Sequence, residues 1–168
     1  MLYIIGIPGA GKSELAGALV RGRRRRVQHL PVLHTVYEDG LVQLGRERFR
    51  FSGTDAMSMS VAPRVVEVLK TGVWDRVLGE GDRLTTRGFF DAAATAGYAV
   101  DVALVDTPPE LAAERRASRG SDQNDAWLRG RATKIRNLRE YVTIVLDGRK
   151  PVNELVTDLR YHRVFRGG

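Results

Sequence analysis

The stretch Leu2-Tyr3-Ile4-Ile5-Gly6-Ile7-Pro8-Gly9-Ala10-Gly11-Lys12-Ser13 sets the frame for the rest of the chain. Leu2 to Ile7 is short, nearly continuously apolar and rich in β-branched side chains, the pattern of a strand buried on both faces. It is predicted as the first, central strand. From Lys12 to Val20 leucines and alanines return at helical spacing. Between the two, Gly6 to Ser13 fits G-x-x-x-x-G-K-S in full. The glycines let main-chain amides turn inward around a phosphate, and the helix that follows aims its positive end at the same anion. In such a loop Lys12 bridges the β- and γ-phosphates of ATP and the Ser13 hydroxyl ligates Mg2+. Gly6, Pro8, Gly9, Ala10, Gly11, Lys12 and Ser13 are the candidate ATP-binding set. A glycine-rich turn with an incidental lysine is the competing explanation, and the strand before and helix after count against it.

The remaining sequence alternates strand and helix patterns. Val27 to His34 is predicted as a second strand, after five arginines in residues 21 to 26. Thr35-Val36-Tyr37 and Leu41 to Leu44 flank Glu38-Asp39-Gly40, and Asp-Gly between β-favouring runs signals a hairpin. Helices are predicted over Ala62 to Lys70, with Pro63 in the first turn, and over residues 85 to 96. Strands are predicted over Val73 to Leu78, Tyr98 to Val105 and Tyr141 to Leu146. Pro108 and Pro109 open a helix through Ser118, a polar loop covers residues 120 to 124, and a further helix runs from Asp125 to Arg139. Strands alternating with helices argue for a parallel sheet covered on both faces.

Carboxylates follow two of these elements. Gly79-Glu80-Gly81-Asp82-Arg83 lies at the carboxyl edge of a predicted strand, where ligands of open α/β sheets bind. Glu80, with Asp82 close behind, is the candidate to hold Mg2+ beside Ser13; a solvated turn is the alternative. Gly53-Thr54-Asp55 precedes the helix at 62, and Asp55 is the candidate base for an acceptor hydroxyl. The alternative is that Thr54 or Asp55 caps the following helix. Met57 and Met59 read as packing residues.

Arginines gather on both sides of the polar loop. Arg115, Arg116 and Arg119 come late in one helix, and Arg129, Arg131, Lys134 and Arg136 lie in the next. Two such helices have the look of the mobile lid of small kinases, about residues 113 to 135, whose guanidinium groups neutralise phosphate charge and exclude water. Surface helices with ordinary basic residues are the plainer alternative.

Bulk properties bound these expectations. At 168 residues with 43% hydrophobic content, one domain spanning 1–168 is expected. Cysteine is absent, which excludes disulfide and thiolate chemistry. The opening apolar run is too short to span a bilayer and lacks a basic leader, so a cytoplasmic setting is expected, the host cytoplasm for a phage-encoded chain. A net charge of +7 and a pI near 10.2 suit either a soluble basic surface or a polyanionic partner.

With these residues in view, the chain resembles P-loop kinases of the nucleoside and polynucleotide kinase type. Residues 53–61, 79–84, Gln123-Asn124 and the segment through Asn137-Leu138 are most similar to bacteriophage kinases acting on 5-hydroxymethyluracil in DNA. The resemblance implies a three-layer α/β P-loop kinase fold with a mostly parallel five-stranded sheet, a small hairpin insertion and a helical lid. It also implies transfer of the ATP γ-phosphate to the base's hydroxymethyl group, a step towards hypermodified thymine. By it Asp55 matches the position where polynucleotide kinases keep their base. Lys12, Asp55, Arg116 and Arg119 are the candidate catalytic residues, with Arg115 and Arg116 also on ATP. Ser13, Glu80 and Asp82 are assigned to Mg2+, and Thr54, Asp55, Arg83, Gln123, Asn124, Arg131 and Lys134 to the DNA substrate. Related DNA kinases can carry an extra helical domain, for which this chain has no room. The alternatives are a kinase of a free nucleoside, nucleotide or other small metabolite, and a non-kinase P-loop NTPase acting on nucleic acid.

Overall fold

Alternating side chains of the first strand, β1 (Leu2–Ile5), divide the protein into its layers. Tyr3 and Ile5 point into one apolar cluster and Leu2 and Ile4 into another, as the two-residue period of a strand requires. The computed structural model describes residues 1–47, 52–121 and 123–166. Within them the other elements are α1 (Lys12–Leu19), β2 (Arg25–Gln28), β3 (His34–Tyr37), β4 (Leu41–Leu44), α2 (Ala62–Lys70), β5 (Arg76–Glu80), α3 (Arg87–Thr95), β6 (Asp101–Asp106), α4 (Pro109–Ala117), α5 (Asp125–Asn137), β7 (Val142–Asp147) and α6 (Val152–Leu159).

They form a three-layer α/β fold around one sheet of order β2-β3-β4-β5-β1-β6-β7. α2, α3 and the end of α5 cover the face into which Tyr3 and Ile5 project, and α1 and α6 cover the opposite face. Strands β4, β5, β1, β6 and β7 are mutually parallel, with β1 at their centre. The sheet has seven strands rather than five, because the hairpin is no separate excursion: β3 pairs antiparallel with β4, and β2 extends the sheet beyond it.

Three further differences have local causes. The second strand is β2 (Arg25–Gln28), not Val27 to His34; Pro31, which has no N–H to give a ladder, interrupts the run. β5 begins at Arg76, after an exposed Val73, and continues through Gly79, which sequence reasoning takes for a breaker. Gly79 is needed there because any Cβ would strike the Tyr3 ring packed over it. Glu80 is thereby the last strand residue, buried, rather than a loop residue. Finally, α6 has no counterpart in the sequence reading, although Leu155 and Leu159 supply its buried stripe.

Candidate active site

The phosphate loop connects β1 to α1 at the carboxyl edge of the parallel strands. Gly9 and Gly11 take φ of +90° and +95°, open to glycine at little cost. A Cβ at Gly9 would run into the Ala112 carbonyl of α4, so the loop can lie flat against that helix only without one. No side chain caps α1, so its first-turn amides at Lys12 and Ser13 stay available to an anion. The Lys12 ammonium folds back over the loop and donates to the Gly6 (2.9 Å) and Ile7 (3.1 Å) carbonyls. Burial lowers its pKa, opposed by the nearby charges of Glu80, Asp55 and Asp82; the charge of Arg119 adds to the lowering.

Arg115 and Arg116 approach the loop from outside. Arg116 donates to the Pro8 carbonyl at 2.7 Å, and Arg115 to the carbonyls of Ala10 (3.4 Å) and Gly148 (3.0 Å). Thr107 adds a bond to the Ala10 carbonyl at 3.2 Å. The two arginines thus bond to carbonyls of the loop and its surroundings, while Arg119, exposed just beyond the end of α4, donates from Nε to the Arg115 carbonyl at 3.0 Å.

Across the mouth lies Glu80. Its two carboxylate oxygens accept from Ser13 Oγ (3.0 Å) and Ser52 Oγ (2.9 Å), and burial raises its pKa while the Lys12 charge lowers it. One hydroxyl and one carboxylate, both hard oxygen donors, are the set that Mg2+ takes from a protein when phosphates and water complete its shell. Ser13 and Glu80 therefore fit that ion, which would supply charge neutralisation on the polyphosphate. Asp82 is engaged otherwise: its carboxylate meets Lys134 at 3.0 Å and Arg131 at 2.5 Å, both on α5. Among the described residues no group of three or more His, Asp or Glu side chains gathers into a metal site.

Asp55 sits on the one-turn helix Thr54–Ala56, two strands from the loop but folded onto the end of β5. Its Oδ1 accepts from the main-chain amides of Asp82 (2.8 Å) and Arg83 (3.3 Å), so it does not cap α2 as the alternative reading proposed. The turn it grips is itself clamped. The Gly81 carbonyl accepts from the buried Tyr3 hydroxyl (3.0 Å) and from Thr85 Oγ1 (2.6 Å). Thr54, read from sequence as a substrate contact, is fully buried with its hydroxyl 3.1 Å from that of Tyr3, so it positions its neighbour instead of facing an acceptor. Burial pushes the Tyr3 hydroxyl far up, which keeps it a donor. Arg83 lies beside this turn and donates to the Met57 carbonyl at 3.4 Å.

Asn124 caps α5, accepting from the Trp127 amide at 2.8 Å, and Gln123 is exposed; Asp122 of the polar loop is outside the described residues. Lys12, Glu80, Asp55 and Asp82 thus lie within electrostatic reach of one another. Ser52, Tyr3 and Thr107 were missed: each acts through a contact more than twenty residues away, for which no local pattern exists.

Comparison with known proteins agrees with this geometry. Among solved structures, similarity extends to a sugar kinase from Janibacter sp. HTCC2649, at 18% identity, TM-score 0.57, covering 95% of this chain and 91% of that one. Shikimate kinase from Aquifex aeolicus is similar at 17% identity and TM-score 0.53, covering 94% and 92%. A gluconokinase from Sinorhizobium meliloti 1021 is similar at 14% identity and TM-score 0.54, covering 94% and 87%. At these identities the likeness is one of fold. Curated proteins give no match. No helix among the described residues is long and apolar enough to cross a membrane. The model of the P-loop Nucleotide Kinase3 family matches residues 1–158, nearly the whole chain, and with its phosphate loop and facing carboxylates the protein belongs to that family of P-loop kinases.

Proposed function

We propose that this kinase transfers the γ-phosphate of ATP, with Mg2+, to a hydroxyl, and that the hydroxyl belongs to the hydroxymethyl group of 5-hydroxymethyluracil in DNA. The observation that carries the transfer reaction is Asp55, held by two main-chain amides with its second oxygen left for a proton, beside the Lys12, Ser13 and Glu80 group. The acceptor oxygen bonds to the γ-phosphorus as the bond to the β–γ bridging oxygen breaks; the acceptor proton passes to Asp55, and ADP leaves. Lys12 and Arg119 offset charge on the transferring group. Support for DNA comes from the resemblance of residues 53–61 and 79–84, the net charge of +7, and exposed Arg119, Arg129, Arg136 and Arg139 around the lid.

A second reading, a free small hydroxy-metabolite, is favoured by fold neighbours named for sugar, shikimate and gluconate and by their near-equal length. Labelled γ-phosphate offered with DNA containing 5-hydroxymethyluracil, ordinary DNA, the free nucleoside and gluconate separates the two. Label is expected only in the modified DNA; label in gluconate or in thymine DNA overturns the base-specific proposal. Asp55→Asn is expected to cut turnover about 100-fold or more, the usual contribution of a general base, while ATP affinity holds. Turnover within a few fold of the parent would remove Asp55 from the role of base.

A further inference from the structure

Along α5 one stripe of side chains leaves the core and ends on an indole. Trp127, Arg131, Lys134, Ile135 and Leu138 recur at three- and four-residue spacing and so share one helix face. Leu138 and Ile135 are buried against the α2 and α3 layer, and Arg87 of α3 pins that end through the Asn137 carbonyl (2.8 Å) and Glu140 (2.8 Å). One turn towards the helix N-terminus, Lys134 donates to the Asp82 carbonyl (2.9 Å) and carboxylate, and Arg131 takes the other carboxylate oxygen. The row ends at Trp127, 37% exposed, with the Arg131 guanidinium 5.0 Å from its ring centre.

Contacts run unbroken from that ring to Asp55. Arg131 touches both the indole and Asp82, and the Asp82 amide is held by Asp55 Oδ1. At 1.5 Å per residue the Trp127 backbone stands about 6 Å beyond Arg131 along the helix. The Arg131 guanidinium is engaged by both the indole and Asp82, whose carboxylate it shares with Lys134, so the group left exposed at the end of the row is the flat indole. Any base has a π-face to lay on it; an open-chain polyol such as gluconate has no ring face to offer.

We propose that Trp127, backed by Arg131, is the platform on which the planar ring of the acceptor stacks, making this kinase selective for a nucleobase over an aliphatic polyol. The proposal rests on the reading above, in which the acceptor hydroxyl meets Asp55.

The test reads binding apart from transfer. Trp74, the other tryptophan, is buried beside His34 at the far edge of the sheet, so quenching of the exposed emission reports Trp127, with Trp127→Phe as the blank. Without ATP, the intact chain is titrated with a 5-hydroxymethyluracil oligonucleotide, single-stranded and duplex, with the free nucleoside and with gluconate. Quenching by an oligonucleotide or by the nucleoside, and not by gluconate, is expected, and which of them quenches identifies the source of the base. In transfer assays Trp127→Ala is expected to raise the acceptor KM about tenfold or more, with the KM for ATP and kcat far less affected, and Trp127→Phe to restore it. Quenching by gluconate alone, or labelling of DNA whose KM ignores Trp127→Ala, overturns the platform. Quenching by the base with no acceptor labelled supports the platform and refutes the transfer reading instead.

Discussion

Lys12→Ala is expected to reduce phosphoryl transfer by about 10³-fold or more while the protein stays folded, since one preorganised charge donor carries about that much of a transition state. Among the described residues the ammonium bonds to the Gly6 and Ile7 carbonyls, both within its own loop, so no remote element there depends on it for position. Its pKa is lowered, chiefly by burial, which means that holding its proton in the fold costs stability below the pKa of the unfolded chain; removing the side chain relieves that cost and loses two hydrogen bonds. The two offset, and the melting midpoint should move by only a few degrees. A secondary effect follows for Glu80, whose raised pKa is restrained mainly by the Lys12 charge: in the variant it climbs further. Labelled-phosphate transfer together with thermal melting tests this, and transfer within tenfold of the parent would refute the role of Lys12.

How much of this was legible in the sequence depends on the range of the interactions. The phosphate loop, the hairpin at Asp39-Gly40 and α2 were readable because their signals lie within ten residues: glycine spacing, Asp-Gly, and an apolar stripe behind Pro63. The parallel order was readable from alternation, since parallel strands need crossover helices. What escaped is set by contacts distant in sequence. Gly79 looks like the end of a strand until the Tyr3 ring is seen to need its missing side chain. Glu80 and Asp82, two residues apart, were both read as candidates for the ion with Glu80 ahead; strand alternation and burial send the first towards Ser13, and the turn hands the second to Lys134 and Arg131. Arg115 and Arg116, expected on ATP, donate here to the Ala10 and Pro8 carbonyls, contacts between segments about a hundred residues apart. Trp127 gave no periodic signal that set it apart from packing residues; only its exposure does.

Glu80→Gln should separate stability from activity more sharply than any other change. The substitution keeps the shape, and its amide oxygen can accept from one of Ser13 and Ser52 while its NH2 donates to the hydroxyl oxygen of the other, but it removes the negative charge that suits a divalent ion. Transfer is expected to fall about 100-fold or more and to lose its response to Mg2+. Stability should move the other way. Burial raises the folded pKa of Glu80 above its unfolded value, so the parent loses stability as pH rises from the usual carboxylate range through that raised pKa. The glutamine variant has no such group to titrate. Its melting midpoint without Mg2+ should therefore exceed that of the parent at neutral pH, by about 2–4 °C for each kcal/mol relieved, and the two should converge as the solution is acidified. Mg2+ with an ATP analogue should stabilise the parent and leave the variant nearly unmoved, because a ligand stabilises only the fold that binds it. Part of the gain is returned through Lys12, whose charge loses a close partner and whose pKa falls further. Melting curves for both proteins across pH, with and without Mg2+, decide the matter: a variant less stable than the parent at neutral pH, or one that keeps its Mg2+ response, would mean that Glu80 is a structural acid and that the ion is held elsewhere.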